Sequence, residues 1–291
     1  MITPPLPSAF GKNRENGFTF VELLVVLATL AVLAVMLLPA IAGTKPNSQV
    51  FQCLENQRQL TLAWLMYAED NSGRLTPNCE AGEQPITLND PKILSGGKYV
   101  QWCPGNLRTA TLILDQTNFI QNGLIYPYVN ILNVYKCAAD VSVTKLGLNN
   151  FPRPRSYSMN CWLSPYPGRN ATAIFGGQQA RIFIKDTDIA APKPSMTFVF
   201  MEENVNSIDE GYFPGSPGLP NEWICVPSTR HGNAGVLSYA DGHSETRRWT
   251  DGVVLSQNAP NYVFPGGPTF TSDPNSGDNA WLEQRESSLL Q

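Results

Sequence analysis

Residues 23–42 form an unbroken apolar run without a charged side chain. At about 1.5 Å of rise per residue, a helix of that length covers roughly 30 Å, the thickness of a bilayer's hydrocarbon core. The pattern predicts a membrane-spanning helix over residues 18–42. Gly43-Thr44-Lys45-Pro46-Asn47 then interrupts the run, and Asn47 or Ser48 is placed to cap a new helical segment. Between residues 50 and 68 apolar positions return at helical spacing: Val50, Cys53, Leu54, Leu60, Ala63, Trp64, Tyr67 and Ala68 make one stripe. Glu55, Gln57, Arg58 and Gln59 fall between them and are assigned to the solvated face. Asn71-Ser72-Gly73 supplies a stop signal. The sequence thus predicts one long N-terminal helix, apolar all round in its first half and amphipathic over residues 43–73.

Beyond it the pattern changes. Residues 74–133 are weakly patterned, with Pro77, Pro85, Pro91, Gly96-Gly97 and Pro104-Gly105 marking turns and residues 99–103 reading as a short strand. Short apolar segments follow at 124–128 and 134–137. Residues 156–159 alternate as a half-buried strand does, and 196–201 are a continuous run of β-formers, which predicts a central strand. Residues 223–226 read as another. Asp241-Gly242, between apolar-patterned residues 235–240 and 243–249, predicts a tight two-residue hairpin turn with both positions at positive φ. From residue 258 on Pro, Gly, Asn and Ser dominate and predict a loosely held tail, in which only residues 278–285 pattern as a short helix around Trp281 and Leu282. The fold class expected is α+β: a long N-terminal helix packed on an antiparallel sheet, within a loop-rich unit over residues 74–257.

Composition sharpens this reading. Charged residues are only 15% of the 291, while 23 Gly and 24 Pro are many for the length, which suits a loop-rich extracytoplasmic β unit better than a helical bundle. The net charge of −4 gives no basis for a nucleic-acid surface. Lys12 and Arg14 precede the apolar run and no comparable cluster follows it, so the leader is expected to stay cytoplasmic and the rest to be exported. Cysteines stand at 53, 79, 103, 137, 161 and 225. An even count in an oxidising compartment permits three disulfides in any of fifteen connectivities, while buried free thiols are the competing reading. No Cys-x-x-Cys pair points to a zinc knuckle.

Glu22 does not suit a plain anchor, because a carboxylate at the head of a membrane helix costs a few kcal/mol unless it sits at the interface or meets a cation. The order of features around it is informative: a polar leader with Lys12 and Arg14, then Gly17, Phe18 and Glu22, an uninterrupted apolar helix, and Pro39 near its end. This order resembles the class III signal of type IV prepilins and type II secretion pseudopilins. A secretory signal has a shorter apolar core that precedes its cleavage site, which is the reverse arrangement. The resemblance implies a leader of residues 1–17, cleavage between Gly17 and Phe18 by a membrane prepilin peptidase, and N-methylation of Phe18. It also implies that Glu22 pairs with the N-terminal amine of a neighbouring subunit in a filament. Prepilin peptidase, other pilin-like subunits and inner-membrane lipid are the implied partners, with no nucleic acid. The implied location is the bacterial inner membrane, single-pass, with a cytoplasmic N-terminus and a C-terminal domain that is periplasmic, or extracellular after assembly.

A second resemblance lies near the C-terminal end. His231, nine residues and then Asp241-Gly242 form an H-x9-DG pattern found in a large group of prepilin-like proteins, and the strings Asn56-Gln57-Arg58-Gln59-Leu60, Tyr135-Lys136-Cys137-Ala138-Ala139-Asp140 and Arg155-Ser156-Tyr157-Ser158-Met159-Asn160 are similar to the same group. One reading of the motif makes His231 a general base oriented by Asp241 or joined to it by a metal. The other gives it a structural part, with Asp241-Gly242 as the turn and His231 bonding the hairpin's base. Nine residues cover a strand's length and put His231 and Asp241 at opposite ends, which favours the structural part. Cys79, Cys103, Cys161 and Cys225 lie outside the shared motifs, and Cys53 with Cys137 is the first candidate disulfide.

The function expected is a pseudopilin or minor pilin subunit of a type II secretion or type IV pilus-type filament. The alternative is a membrane-anchored extracytoplasmic binding module, an adhesin that stacks sugar rings on Trp102, Trp162, Tyr166, Trp223 and Tyr262. No Gly-x-Ser-x-Gly, His-Glu-x-x-His or phosphate loop is present and there are two histidines, so no enzyme is expected. No cofactor or metal is implied, save a lesser calcium candidate at Glu203, Asn206 and Asp209 in an oxygen-rich stretch.

Overall fold

A computed structural model describes residues 19–78, 101–105, 107, 116–146, 148–163, 180–208, 211–215, 222–256 and 270–289; at 34–47, 116, 145–146, 222 and 270–271 it describes the backbone alone. The chain divides into two compact units, Met1–Lys45 and Pro46–Gln291. Helix α1, Phe20–Asp70, runs through both. The interruption predicted at 43–47 does not end it. In the first unit every described side chain from residue 19 to 33 is exposed, including Phe20, Leu23, Leu27, Leu30 and Leu33. Among the described residues no helix is long and apolar enough to cross a membrane, and the span predicted at 18–42 lies only partly within them.

In the second unit the elements are α2 Gln116–Gln121, α3 Tyr126–Val129, β1 Val143–Leu146, β2 Asn149–Pro152, β3 Tyr157–Asn160, β4 Phe198–Glu202, β5 Tyr212–Phe213, β6 Glu222–Trp223, β7 Ala234–Tyr239, β8 Ser244–Arg248, α4 Gly252–Ser256, β9 Phe270–Thr271 and α5 Asp278–Glu283. The main sheet has the order β5-β3-β4-β7-β8. Three of its pairings are antiparallel, but β5 lies parallel to β3, so the sheet is mixed where an antiparallel one was expected. β4 is the central strand, and all five of its residues are buried, as its unbroken β-former run requires. β3 is likewise buried along its whole length rather than on alternate residues, because both faces of the sheet are covered. The apolar segments near 124–137 are short helical turns, α3 and a 3-10 turn at Leu132–Tyr135, and residues 101–103 are not a strand.

The two faces of the sheet are covered by different parts of the chain. Tyr157, Met159, Phe200 and Val236 face a core that includes Cys53, Leu60, Ala63, Trp64 and Ala68 of α1. Phe198, Met201, Leu237 and Tyr239 face a second core with Trp223, Trp249, Val254 and Leu282. The register between β4 and β7 shifts between Phe198 and Phe200, and the extra residue lets Val199 and Phe200 both join the α1 side. On α1 the stripe is as predicted except at Gln57, which is buried and donates to the Val236 carbonyl oxygen at 2.8 Å. Thr61 Oγ1 donates to Ser238 Oγ at 2.7 Å, and Ser244 Oγ to the Leu54 carbonyl at 3.1 Å. These bonds fix α1 across β7 and β8.

The second core corrects the reading of the tail. Residues 270–289 are packed: β9 pairs with β6, Phe198 N–H donates to the Arg285 carbonyl, and Arg285 and Arg247 lie 3.8 and 4.4 Å from the Trp281 ring centre. Buried carboxylates hold the segment. Asp251 accepts from Trp223 Nε1, Ser272 Oγ, Ser276 Oγ and the N–H groups of Val253 and Asp273. Asp278 accepts from Arg247, from Thr250 and from the Asp251 N–H. Polar composition suggested a loose segment, but here the polar side chains bond the backbone that an apolar core could not satisfy.

The β7–β8 turn also differs from expectation. Ser238 pairs with Ser244, the Tyr239 N–H reaches the His243 carbonyl, and the Gly242 N–H returns to the Tyr239 carbonyl, so three residues form the loop. Gly242 alone of the dipeptide takes a positive φ, 93°. A three-residue loop needs only its last position there, whereas a two-residue loop needs both.

Candidate functional site

Helix α1 starts on a reciprocal cap. The Glu22 N–H donates to Thr19 Oγ1 at 3.2 Å, while Glu22 Oε2 accepts from the Thr19 N–H and hydroxyl, both at 2.8 Å. This Thr-x-x-Glu box satisfies donors that no helical partner reaches. Glu22 is therefore engaged by its own chain. Gly17 and Phe18 lie outside the described residues.

The strings singled out in the sequence converge in the second unit. Asn56 Nδ2 on α1 donates to the Lys136 carbonyl at 3.0 Å and Gln49 Nε2 to the Ala138 carbonyl at 3.3 Å. Asp140, after the 3-10 turn, accepts from Ser156 Oγ at 2.5 Å and the Ser142 N–H at 2.8 Å. Arg230 reaches Asp140 Oδ2 at 3.4 Å and Glu202 Oε1 at 3.6 Å, and donates to the Glu203 carbonyl at 3.0 Å. His231 Nε2 stands 3.3 Å from Glu202 Oε2 and 3.5 Å from Cys137 Sγ. Cys137 Sγ lies 3.1 Å from Cys53 Sγ. One buried cluster thus gathers α1, residues 137–140, the end of β4 and the segment before β7.

Its electrostatics follow from burial and pairing. Burial pushes the Glu202 carboxyl up, but His231 and Arg230 outweigh it and hold it below the usual carboxylate range. Burial likewise opposes ionisation of Asp140, and Arg230 with the serine hydroxyls reverses the balance downward. The His231 ring, which burial alone would lower, is pushed up to about 10 by Cys53 and Glu202. The bond from Cys137 draws Cys53 down to about 5, with His231 adding and burial opposing, while Cys137 is driven upward. By contrast burial pushes the Cys103 thiol up to about 11. Asp140, Glu202, Arg230 and His231 form a quartet of two acidic and two basic side chains.

The H-x9-DG motif therefore splits. The His231 N–H donates to the Ala234 carbonyl at the hairpin's base while its ring faces Glu202 and Cys137, and Asp241 bonds the N–H and Nδ1 of the neighbouring His243. Glu202, Arg230 and Asp140 carry the cluster and were not singled out for it. Their signals were an acid closing an otherwise apolar strand and an arginine beside the motif histidine. None of the five described cysteines is in a disulfide. Of the calcium candidates, Glu203 is buried, Asn206 is partly buried with its N–H on Asn204 Oδ1, and Asp209 lies outside the described residues. Among the adhesin candidates Trp102, Trp162 and Trp223 are buried in the two cores and offer no face to a ligand, while Tyr166 and Tyr262 lie outside the described residues.

Asp140 and Asp251 give the unit an acid dependence. Both folded values are lowered from 3.8. Their contribution is full above the unfolded value and lost as pH falls through the lowered folded ones. We therefore expect the thermal midpoint to drop on acidification below about pH 4, and the drop to be shallower in Asp251→Asn, as read by circular dichroism.

The sequence string Gly17-Phe18-Thr19-x-x-Glu22, followed by helix α1 from Phe20 and an α+β unit, is similar to that of pseudopilin-like proteins. Comparison with known proteins agrees: residues 12–38 match the prokaryotic N-terminal methylation motif. Type II secretion system core protein G of Aeromonas hydrophila is 29% identical over 98 residues, which are 32% of this chain and 67% of that protein. No solved structure matches.

Proposed function

We propose that this chain is a pseudopilin or minor pilin subunit of a type II secretion or type IV pilus-type filament. Prepilin peptidase cuts it after Gly17, Phe18 becomes the methylated N-terminus, and the apolar first part of α1 holds it in the inner membrane before packing against its neighbours in the filament. The observation that carries this reading is the exposed apolar surface of residues 20–33 directly behind the Thr19–Glu22 cap. A bare apolar helix needs lipid or other helices around it. The match at residues 12–38 and the likeness to a secretion-system protein support the same assignment. In the filament Glu22 exchanges its own chain's Thr19 for the amine of a neighbour, which removes two charges from lipid at once. The globular unit faces the periplasm or cell exterior, and no catalytic role is assigned to it.

Glu22→Ala tests the assembly step. The variant is expected to be processed normally and to keep the wild-type unfolding midpoint of its globular unit, yet to be absent from sheared filament fractions. Wild-type incorporation would confine Glu22 to helix capping.

A further inference from the structure

Cys53, Cys137, Glu202 and His231 each turn one ligand-type atom into a common space, and these four atoms lie within 4.8 Å of one another. The cluster comes from four separated stretches of chain, and no pattern of close cysteine spacing announces it. From this geometry we propose that the four side chains form a structural site for a tetrahedral, borderline-soft divalent cation, Zn²⁺ being the best match.

Three observations carry the proposal. The first is spacing. Typical zinc bonds of about 2.3 Å to sulfur and about 2.0–2.2 Å to nitrogen and oxygen, at tetrahedral angles, set S···N at about 3.5–3.6 Å and N···O at about 3.3–3.4 Å. The Cys137–His231 and His231–Glu202 separations are 3.5 and 3.3 Å. The two sulfurs, 3.1 Å apart, would open by about 0.6 Å to meet a zinc ion and close by about 1 Å to form a disulfide.

The second is backbone support for thiolates. The Ala139 N–H donates to Cys137 Sγ, two residues back, and the Ala138 N–H donates to Cys53 Sγ, both at 3.3 Å. Donors aimed at sulfur favour its charged form, which is the form that binds metal.

The third is an outer shell. Glu202 Oε2, the oxygen facing His231, also accepts the Val236 N–H at 3.2 Å, while Oε1 lies toward Arg230, which Asp140 in turn holds. Two thiolates, a carboxylate and a neutral imidazole around a divalent cation leave one negative charge, which the neighbouring guanidinium offsets. With four protein ligands the site has no open position, so its action is structural rather than catalytic. It would staple α1 to the end of β4 and to the segment before β7. This proposal does not depend on the filament reading.

The test uses the full chain extracted from its native envelope in detergent, with free thiols alkylated at lysis, and measures metal by mass spectrometry alongside titration with Zn²⁺ and Co²⁺ alone. The expected result is zinc at one equivalent per chain and a thiolate-to-cobalt charge-transfer band that saturates at one equivalent. Metal content should fall at least tenfold in Cys137→Ser and stay unchanged in Cys103→Ser. Should Cys137→Ser fail to fold, the cobalt titration of the unaltered chain decides by itself. A chain without zinc and without the cobalt band, or one lighter by two hydrogens with Cys53 and Cys137 joined, overturns the proposal.

Discussion

Glu202→Ala is expected to lower the unfolding free energy of the globular unit by about 3–5 kcal/mol, the range for removing one partner of a buried ion pair. Glu202 is fully buried at the end of the central strand, and it faces Arg230 at 3.6 Å and His231 at 3.3 Å. Without it Arg230 keeps only the carboxylate of Asp140, His231 loses its carboxylate partner, and the Val236 N–H loses its side-chain acceptor. Urea unfolding in the presence of a chelator isolates this cost from any bound metal. The midpoint should fall with little change in slope. A midpoint within error of wild type would contradict this, showing that the cluster tolerates the loss of its central carboxylate.

The second large effect is expected at Trp102. Its ring stacks on Tyr135 with centroids 6.0 Å apart and lies 4.9 Å from Phe200, and its Nε1 donates to the Gly211 carbonyl at 2.8 Å. Trp102→Ala leaves a cavity under the sheet and removes one of the two hydrogen bonds to the Gly211 carbonyl, which keeps the Met159 N–H, and large-to-small changes of this kind cost about 3–5 kcal/mol. Differential scanning calorimetry should show a loss of many degrees in the midpoint. The result also separates core from binding surface: a sugar-stacking tryptophan would lose ligand affinity on truncation with little loss of stability.

These two residues also show where sequence patterning was informative. Periodicity located α1's stripe because a helix repeats its contacts every three or four residues, and Cys53, Leu60, Ala63, Trp64 and Ala68 are buried as it requires. The unbroken β-former run located β4 at the sheet's centre for the corresponding reason. Gln57 escaped because its partner, the Val236 carbonyl, is 179 residues away and a polar side chain does not announce a distant acceptor. Trp102 escaped because residues 101–105 are irregular backbone, where burial has no period to betray it. The packed C-terminal segment was hidden by its own composition, since Asp251 and Asp278 hold it by hydrogen bonds where apolar contact was sought.

The candidate site divides along the same line. Gly17, Phe18 and Glu22 are legible because a processing signal is read as a linear string. The cluster around Glu202 is assembled from residues 53, 137, 140, 202, 230 and 231, and only the folded sheet brings them together. His231 was visible as half of a spaced motif, but its partner is a glutamate 29 residues before it rather than the aspartate ten residues after. Motif spacing recorded that β7 separates the two motif ends. It did not record what each end touches.

Processing, on which filament assembly depends, is tested by N-terminal mass spectrometry of the chain produced in membranes with and without a prepilin peptidase. The expected result is a mature terminus of N-methylated phenylalanine at Phe18 when the peptidase is present, and a chain retaining the residues before Phe18 when it is absent. A terminus elsewhere, or the same terminus in both preparations, would contradict it.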